Sequence, residues 1–254
     1  MRNSAKSRLA IFWVWAISFL SFILTDAGHA EEPPKPAAFS QQATALWDNI
    51  WAHGKLPSTV TVPSPDGKKT ITAVFNEKRD RVLLKITLRV RRFSAYVNAG
   101  VGSEIAWSSD SRAFFLTWSS EGLGGEFHTR IYYVSRSRLK MIDLNPLVNR
   151  AFGHPVLCEG GPLLANIAAV AWLEGSHRIL VAAEVPPLSI CDSYGTFKAF
   201  EVSVPDSIVI KSYDQLAAKK KFWPYFGRRL REAPDNCITD PKCCEDPRLH
   251  DAPS

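Results

Sequence analysis

The sequence predicts an all-β chain built from a repeated antiparallel hairpin, and three observations predict it. First, one phrase occurs three times. It reads Val62-Pro63-Ser64-Pro65-Asp66-Gly67-Lys68, then Ala106-Trp107-Ser108-Ser109-Asp110-Ser111-Arg112, then Ala171-Trp172-Leu173-Glu174-Gly175-Ser176-His177. Second, each copy is followed by a bulky apolar run, Thr70–Phe75, Phe114 onward and Ile179–Val181, so that each reads as strand, tight turn, strand. Third, the copies keep register: the first and second align at a shift of 44 residues, the second and third at 65. Self-similarity at this scale marks an array of supersecondary units.

Before the array, residues 1–30 read as an export signal. Arg2, Lys6 and Arg8 form a basic head, Leu9–Leu24 is a short apolar run, and Gly28-His29-Ala30 suits cleavage before Glu31. The run is shorter than the roughly 20 residues that span a bilayer. An uncleaved helix anchored in the inner membrane is the alternative. No cysteine stands at the cleavage site, and no Asn-x-Ser/Thr acceptor occurs, which leans towards a bacterial periplasmic or secreted protein. Residues 31–38, with Pro33, Pro34 and Pro36, read as an extended linker. Removing the signal takes the net charge from +6 to about +4, too mild a balance to point to nucleic acid.

The mature part reads as a single β-rich domain over 39–214 and an arm over 215–254. Phe39, Ala43, Leu46, Trp47 and Ile50 recur at helical spacing behind Ser40, so a short N-terminal helix is expected from Phe39 to His53, closed by Gly54 and Pro57. Strands follow at Val60–Val62 and Thr70–Phe75 around the Pro65-Asp66-Gly67 turn, and at Arg81–Leu88. Glu104–Trp107 and Ala113–Trp118 flank the second turn, and Gly122-Leu123-Gly124-Gly125 reads as a hairpin tip before Thr129–Val134 and Leu139–Leu144. Asn145 to Leu164 reads as a loop that absorbs the longer shift. Ala168–Trp172, Arg178–Glu184, Thr196–Val204 and Ser207–Tyr213 complete the third round.

The phrase Trp-Ser-x-Asp-(Gly/Ser)-(Arg/Lys), an apolar strand and then Ile131-Tyr132-Tyr133-Val134 resembles a blade of the TolB-type β-propellers, with a more distant likeness to WD-repeat blades. The likeness is best over 106–144 and extends over 58–214. It implies four-stranded blades in a propeller-like array, with a β-sandwich or curved antiparallel sheet as the alternative. The third copy departs from the pattern, with Glu174-Gly175 where Ser-Asp would stand. Trp107, Trp118 and Trp172 are expected to pack between layers.

In an exported chain the five cysteines are first read as disulfides. Cys158 precedes the first strand of the third hairpin and Cys191 follows its second, so the two can meet. Such a bridge would contribute about 3–4 kcal/mol. Cys237 is expected to pair with Cys243 or Cys244. A zinc site from Cys237, Cys243, Cys244 and His250 is the sharper alternative, but its spacing is not a usual zinc pattern.

The sequence contains no Gly-x-Ser-x-Gly elbow, His-Glu-x-x-His, phosphate-binding loop or dinucleotide fingerprint. No catalytic residue, metal or cofactor is indicated. One stretch rises above background: residues 219–231 interleave Lys219, Lys220, Lys221, Arg228, Arg229 and Arg231 with Phe222, Trp223, Tyr225 and Phe226. That mixture suits contact with anionic lipid or a polyanion. The plainer alternative docks the aromatics on the β domain. The resulting expectation is a non-catalytic binding or scaffold protein of the cell envelope, partnered by an unidentified envelope protein. The alternative is an envelope hydrolase with its site in the loops.

Overall fold

The computed structural model describes residues 37–46, 59–76, 81–88, 91–99, 103–119, 126–135, 138–153, 156–158, 161–186 and 194–234. All of them fall in one compact unit, Lys35–Ser254.

The three repeated phrases open three antiparallel meanders. The first sheet runs β2 (Thr59–Pro63), β3 (Lys69–Asn76), β4 (Arg81–Leu88) and β5 (Arg91–Ala99) in chain order. The second runs β6 (Glu104–Trp107), β7 (Ala113–Ser119), β8 (Phe127–Val134) and β9 (Leu139–Asp143), with the two-residue β1 (Thr44–Ala45) added beside β6. The third runs β12 (Asn166–Glu174), β13 (Arg178–Glu184), β14 (Phe197–Ser203) and β15 (Ile208–Tyr213). A small ribbon, β10 (Val156–Cys158) and β11 (Gly161–Leu163), and helix α1 (Asn145–Phe152) lie between the second and third. The arm is helical: α2 (Gln215–Phe222), a 3-10 turn (Trp223–Tyr225) and α3 (Arg228–Arg231).

Alternation along the strands gives each sheet two faces, and these faces set the order of layers. Ile71, Ala73, Leu84 and Ile86 of the first sheet pack on Ile105, Trp107, Phe114, Leu116 and Tyr132 of the second. The opposite face of the second sheet, with Ala106, Ala113, Phe115 and Ile131, packs on Ile167, Ala169, Val181, Phe200 and Val202 of the third. The far face of the third sheet (Ala168, Val170, Leu180, Ala182, Ala199) is covered by the arm through Ala218, Phe222, Phe226 and Leu230.

The helix expected from Phe39 to His53 does not form over its described part. Residues 37–46 instead run through bends and a turn, with short bridges to other elements at Ser40, Thr44 and Ala45. Thr44 and Ala45 face Ile105 and Glu104, Ser40 bridges Phe226, and the Leu46 amide donates to the Ser103 carbonyl at 2.8 Å. The helical spacing of Phe39, Ala43 and Leu46 serves three separate clusters instead: the arm layer, the second–third junction and the first–second junction. Trp47–His53 lies outside the described residues. Two further elements were not anticipated, one in a stretch that carried no expectation and one in a stretch expected to be a loop. Strand β5 starts with Arg91-Arg92, which masked it, and α1 occupies the start of the 145–164 stretch. The α1 helix opens at Asn145-Pro146 and closes at Gly153, at φ +89°.

Candidate functional site

The repeated turns form a ladder at one end of the sheets. In the first, Ser64 Oγ donates to Asp66 Oδ1 (2.6 Å) and to the Lys69 carbonyl (3.1 Å), and the Lys68 amide donates to Asp66 Oδ1 (3.0 Å). In the second, Ser108 Oγ donates to Asp110 Oδ1 (2.7 Å) and to the Ala113 carbonyl (2.9 Å), and the Arg112 amide donates to Asp110 Oδ1 (3.1 Å). The same hydrogen bonds thus recur at the 44-residue shift. Gly67 and Ser111 also share the left-handed backbone, at φ +65° and +58°. The turns then join one another. The Asp66 amide donates to Ser111 Oγ (3.0 Å), while the Ser176 amide and hydroxyl donate to Asp110 Oδ2 (3.1 and 2.8 Å). Burial pushes the Asp110 carboxyl up. The donors Ser108, Arg112 and Ser176 outweigh it and hold that carboxyl below its ordinary value. At Asp66 the Ser64 hydroxyl, helped by the Lys68 amide, lowers the value to about 2.

The tryptophans repeat a second device. Trp107 Nε1 donates to the Val62 carbonyl (3.1 Å) and Trp172 Nε1 to the Ala106 carbonyl (3.2 Å). Val62 and Ala106 are equivalent at the 44-residue shift. Each indole therefore ties its own sheet to the same position of the preceding one, which fits the packing expectation for both. Trp118 is half-buried and packs against the cluster between the first and second sheets, with the Arg130 guanidinium 4.4 Å and the His128 ring 5.5 Å from its own ring.

Buried ionisable groups gather at the other end of the strands. Glu184 is 1% exposed. It accepts from Arg229 Nε (2.8 Å) and Nη2 (2.7 Å) and from Asn166 Nδ2 (3.0 Å), and Asn166 Oδ1 accepts the Phe127 amide (3.1 Å). The Arg229 guanidinium also covers the rings of Phe39 and Phe127, 4.8 and 5.1 Å from their centroids. Nearby, Glu104 is 0% exposed and accepts the Phe39 amide at Oε1 (2.9 Å), while Oε2 is buried with no hydrogen-bond partner. Burial pushes this carboxyl up to about 7, against the backbone N–H groups of 38–40 and the charge of Arg229, which favour the ionised form. Thr117, opposite Glu104 across β6 and β7, shares a buried hydroxyl pair with Thr129 at 3.0 Å.

The arm residues singled out from sequence are placed individually. Lys219 is buried and donates to the Ala233 carbonyl at 2.8 Å. Lys220 is exposed. Lys221 Nζ donates to the Tyr213 hydroxyl (2.7 Å) and to Glu201 (2.9 Å), contacts that raise its own value. Trp223 is half-buried beneath the Arg231 guanidinium, at 5.5 Å, and its carbonyl accepts from Arg231 Nη2 (3.3 Å). Arg228 is exposed and pairs with Glu232 at 3.6 Å. Arg229 makes the buried contacts above. Changing Lys219, Lys220 and Lys221 together would therefore disturb the arm's own anchoring as well as its surface charge. Cys191, Cys237, Cys243 and Cys244 lie outside the described residues, as does the Cys158 side chain.

Glu104, Glu184, Asn166, Thr117 and Thr129 carried one visible signal: polar residues embedded in apolar strands, as in Ala182-Ala183-Glu184. Their convergence was not readable. Among the described residues no group of three His, Cys, Asp or Glu is placed to hold a metal. No described helix is long and apolar enough to cross a membrane.

The described residues thus define a layered antiparallel β protein with a helical arm on its last sheet. No family model matches the sequence, and no curated protein is similar to it. Among solved structures it is similar to the β-propeller domain of the trilobed protease from Pyrococcus furiosus, at 12% identity and a TM-score of 0.37 over 61% of this chain. It is similar to the Pyrococcus horikoshii acylaminoacyl peptidase at 9% and 0.33 over 57%, and to an acylaminoacyl peptidase bound to Z-Gly-Gly-Phe-chloromethyl ketone at 9% and 0.37 over 66%. The chain spans 43%, 23% and 26% of those structures respectively.

Proposed function

We propose that this chain is an exported, non-catalytic binding or scaffold module of the cell envelope, built as a propeller-like array and held to an envelope protein. The observation that carries the reading is the use made of its polar groups. Asp66, Asp110, Ser176, Trp107 and Trp172 join sheet to sheet, and Glu184, Glu201, Arg229 and Lys221 join the arm to the third sheet. Their donors and acceptors serve cohesion, which suits a rigid platform. The basic head and Gly28-His29-Ala30 support export.

The disulfide reading belongs with export. Asn166 pairs with Glu184, so the chain enters β12 and leaves β13 at the same end. That arrangement suits a Cys158–Cys191 bridge, with Cys237 paired to Cys243 or Cys244 to staple the tail. For contact of the arm with anionic lipid, Lys220, Lys221 and Arg228 are the exposed cations of the run, and Trp223 is half-buried. Lys219, Arg229 and Arg231 would act in it only by holding the arm in shape.

The test joins location to contact. A fusion to a reporter active only outside the cytoplasm should be active with residues 1–30 and silent without them. Photo-crosslinkers at Thr72, on the first sheet, and at Lys220 should trap a discrete envelope protein or lipid in cells. A silent reporter, or no adduct at either position together with labelling by a serine-hydrolase probe, would overturn the reading in favour of the hydrolase.

A further inference from the structure

The segment 37–46 lies on the edges of two sheets at once. On β6 it uses backbone: Thr44 and Ala45 pair with Ile105 and Glu104, and the Leu46 amide donates to the Ser103 carbonyl (2.8 Å). On β12, whose other edge pairs with no described strand, it uses side chains. Ser40 Oγ donates to the Val170 carbonyl (2.6 Å), and Gln42 Oε1 accepts the Trp172 amide (3.1 Å). The arm forms a third wall. The Gln41 amide donates to the Tyr225 carbonyl (3.0 Å), and the Gly227 and Arg229 amides donate to the Phe39 and Ala38 carbonyls (2.9 Å each). At Gly227 the fit is close: an added methyl group would fall against the Ala37 and Ala38 carbonyl oxygens. The Phe39 ring is the anchor. It is fully buried, with the Phe127 ring 4.9 Å away edge-on and the Arg229 guanidinium 4.8 Å from its centroid.

Sheets take up extended peptides in this way, with backbone bonds at an open edge and pockets for chosen side chains. We propose that the groove walled by β6, β12 and the arm is a recognition site for an extended segment of an envelope protein, and that 37–46 fills it from within the chain until that segment displaces it. The inference rests on the reading of the chain as a binding module. The resident segment shows the chemistry that fits: an aromatic side chain, a hydroxyl on the next residue and an amide two residues further on. Its fit is also incomplete. It carries no charged side chain, and beneath it Glu104, 0% exposed, has Oε1 on the Phe39 amide and no hydrogen-bond partner at Oε2. A buried acceptor left unmet weakens the bound state, so an incoming segment that brings a donor to Oε2 has the advantage over the resident one.

The test uses the full mature chain and, as probe, a labelled peptide of residues 37–46. The resident copy competes at an effective concentration of about 1 mM, so the probe should bind the wild type weakly. In Phe39→Ala, which empties the anchor position, it should bind on the order of tenfold or more tighter. Adding Gly227→Ala, which narrows the groove, should abolish that gain. A reading on the wild type is independent of the variants. A probe with a photoreactive benzophenone in place of the Phe39 ring, at about 1 mM, should label Phe127 and residues 226–230, and unlabelled peptide should suppress the labelling. No labelling there, or equal affinity for the wild type and folded Phe39→Ala, would overturn the proposal. That failure, with the envelope adduct at Thr72 or Lys220 still formed in cells, would leave the binding-module reading standing.

Discussion

The two outer faces of the layered unit share one backbone plan and differ in what their outward positions hold. On the third sheet they are apolar, Ala168, Val170, Leu180, Ala182 and Ala199, and the arm lies over them. On the first sheet they are Thr59, Thr61, Pro63, Thr70, Thr72, Val74, Leu83, Lys85 and Thr87, exposed or half-buried. The 44-residue shift makes the contrast sharp. Thr61, Pro63, Thr70 and Thr72 stand where the second sheet has Ile105, Trp107, Phe114 and Leu116, all buried. Threonine keeps the β-branched shape that suits a strand and removes the need for a covering layer. End units of arrays need such a polar face. One end is thus finished by side-chain choice, the other by an added element with its own ion pairs.

The contrast breaks most severely with equivalent charges. Leu116→Lys places a cation between the first two sheets and should cost more than about 4 kcal/mol. Its equivalent Thr72→Lys should stay within about 0.5 kcal/mol. Thermal unfolding of the pair measures both. Similar losses would mean that the first sheet's outer face is covered.

Next in size is the arm's anchor. Arg229→Ala strands Glu184 in the interior and should cost about 3–5 kcal/mol, measurable by denaturant titration. With Glu184 already changed to Gln, the further cost of Arg229→Ala should shrink, because the pair acts as one unit.

A pH difference follows between the buried Glu104 of the second sheet and the exposed turn of the first. Burial raises the Glu104 carboxyl from 4.5 to about 7, so its contribution to stability is full below about 4.5 and is lost as pH rises through about 7. The loss should be on the order of 3 kcal/mol and should vanish in Glu104→Gln. Asp66, at the turn of the first sheet, has the opposite sign. Its value is lowered from 3.8 to about 2, so its contribution is present above about 3.8 and is lost as pH falls through about 2. Stability curves against pH for the wild type and the Gln variant separate the two windows.

The smallest effect tests the repeat itself. Trp107→Phe and Trp172→Phe each remove one indole bond to the preceding sheet and should each cost about 1–3 kcal/mol. A large effect at one and none at the other would mean that the two junctions are not equivalent.

Most of the strands were legible because their signals are local. Alternation and Ser-x-Asp turns need no knowledge of neighbours, and the shared Trp107 and Trp172 positions anticipated the inter-sheet ties. The short helix at 39–53 misled because Phe39, Ala43 and Leu46 sit at helical spacing while three layers claim them separately. The buried junction was hidden for another reason. Arg229 and Glu184 are 45 residues apart, and their pairing depends on where the arm turns back. A basic-aromatic run reads the same whether its cations face water or carboxylates.

The central claim is that the arm is a separate cover over the third sheet, with Arg229 as its buried ionic anchor. Hydrogen exchange mapped along the wild type and Arg229→Ala tests it most directly. The account predicts lost protection in 226–231 and in β13 and β14, with β3 unchanged. An equal rise in β3, or no change in the arm, would contradict it.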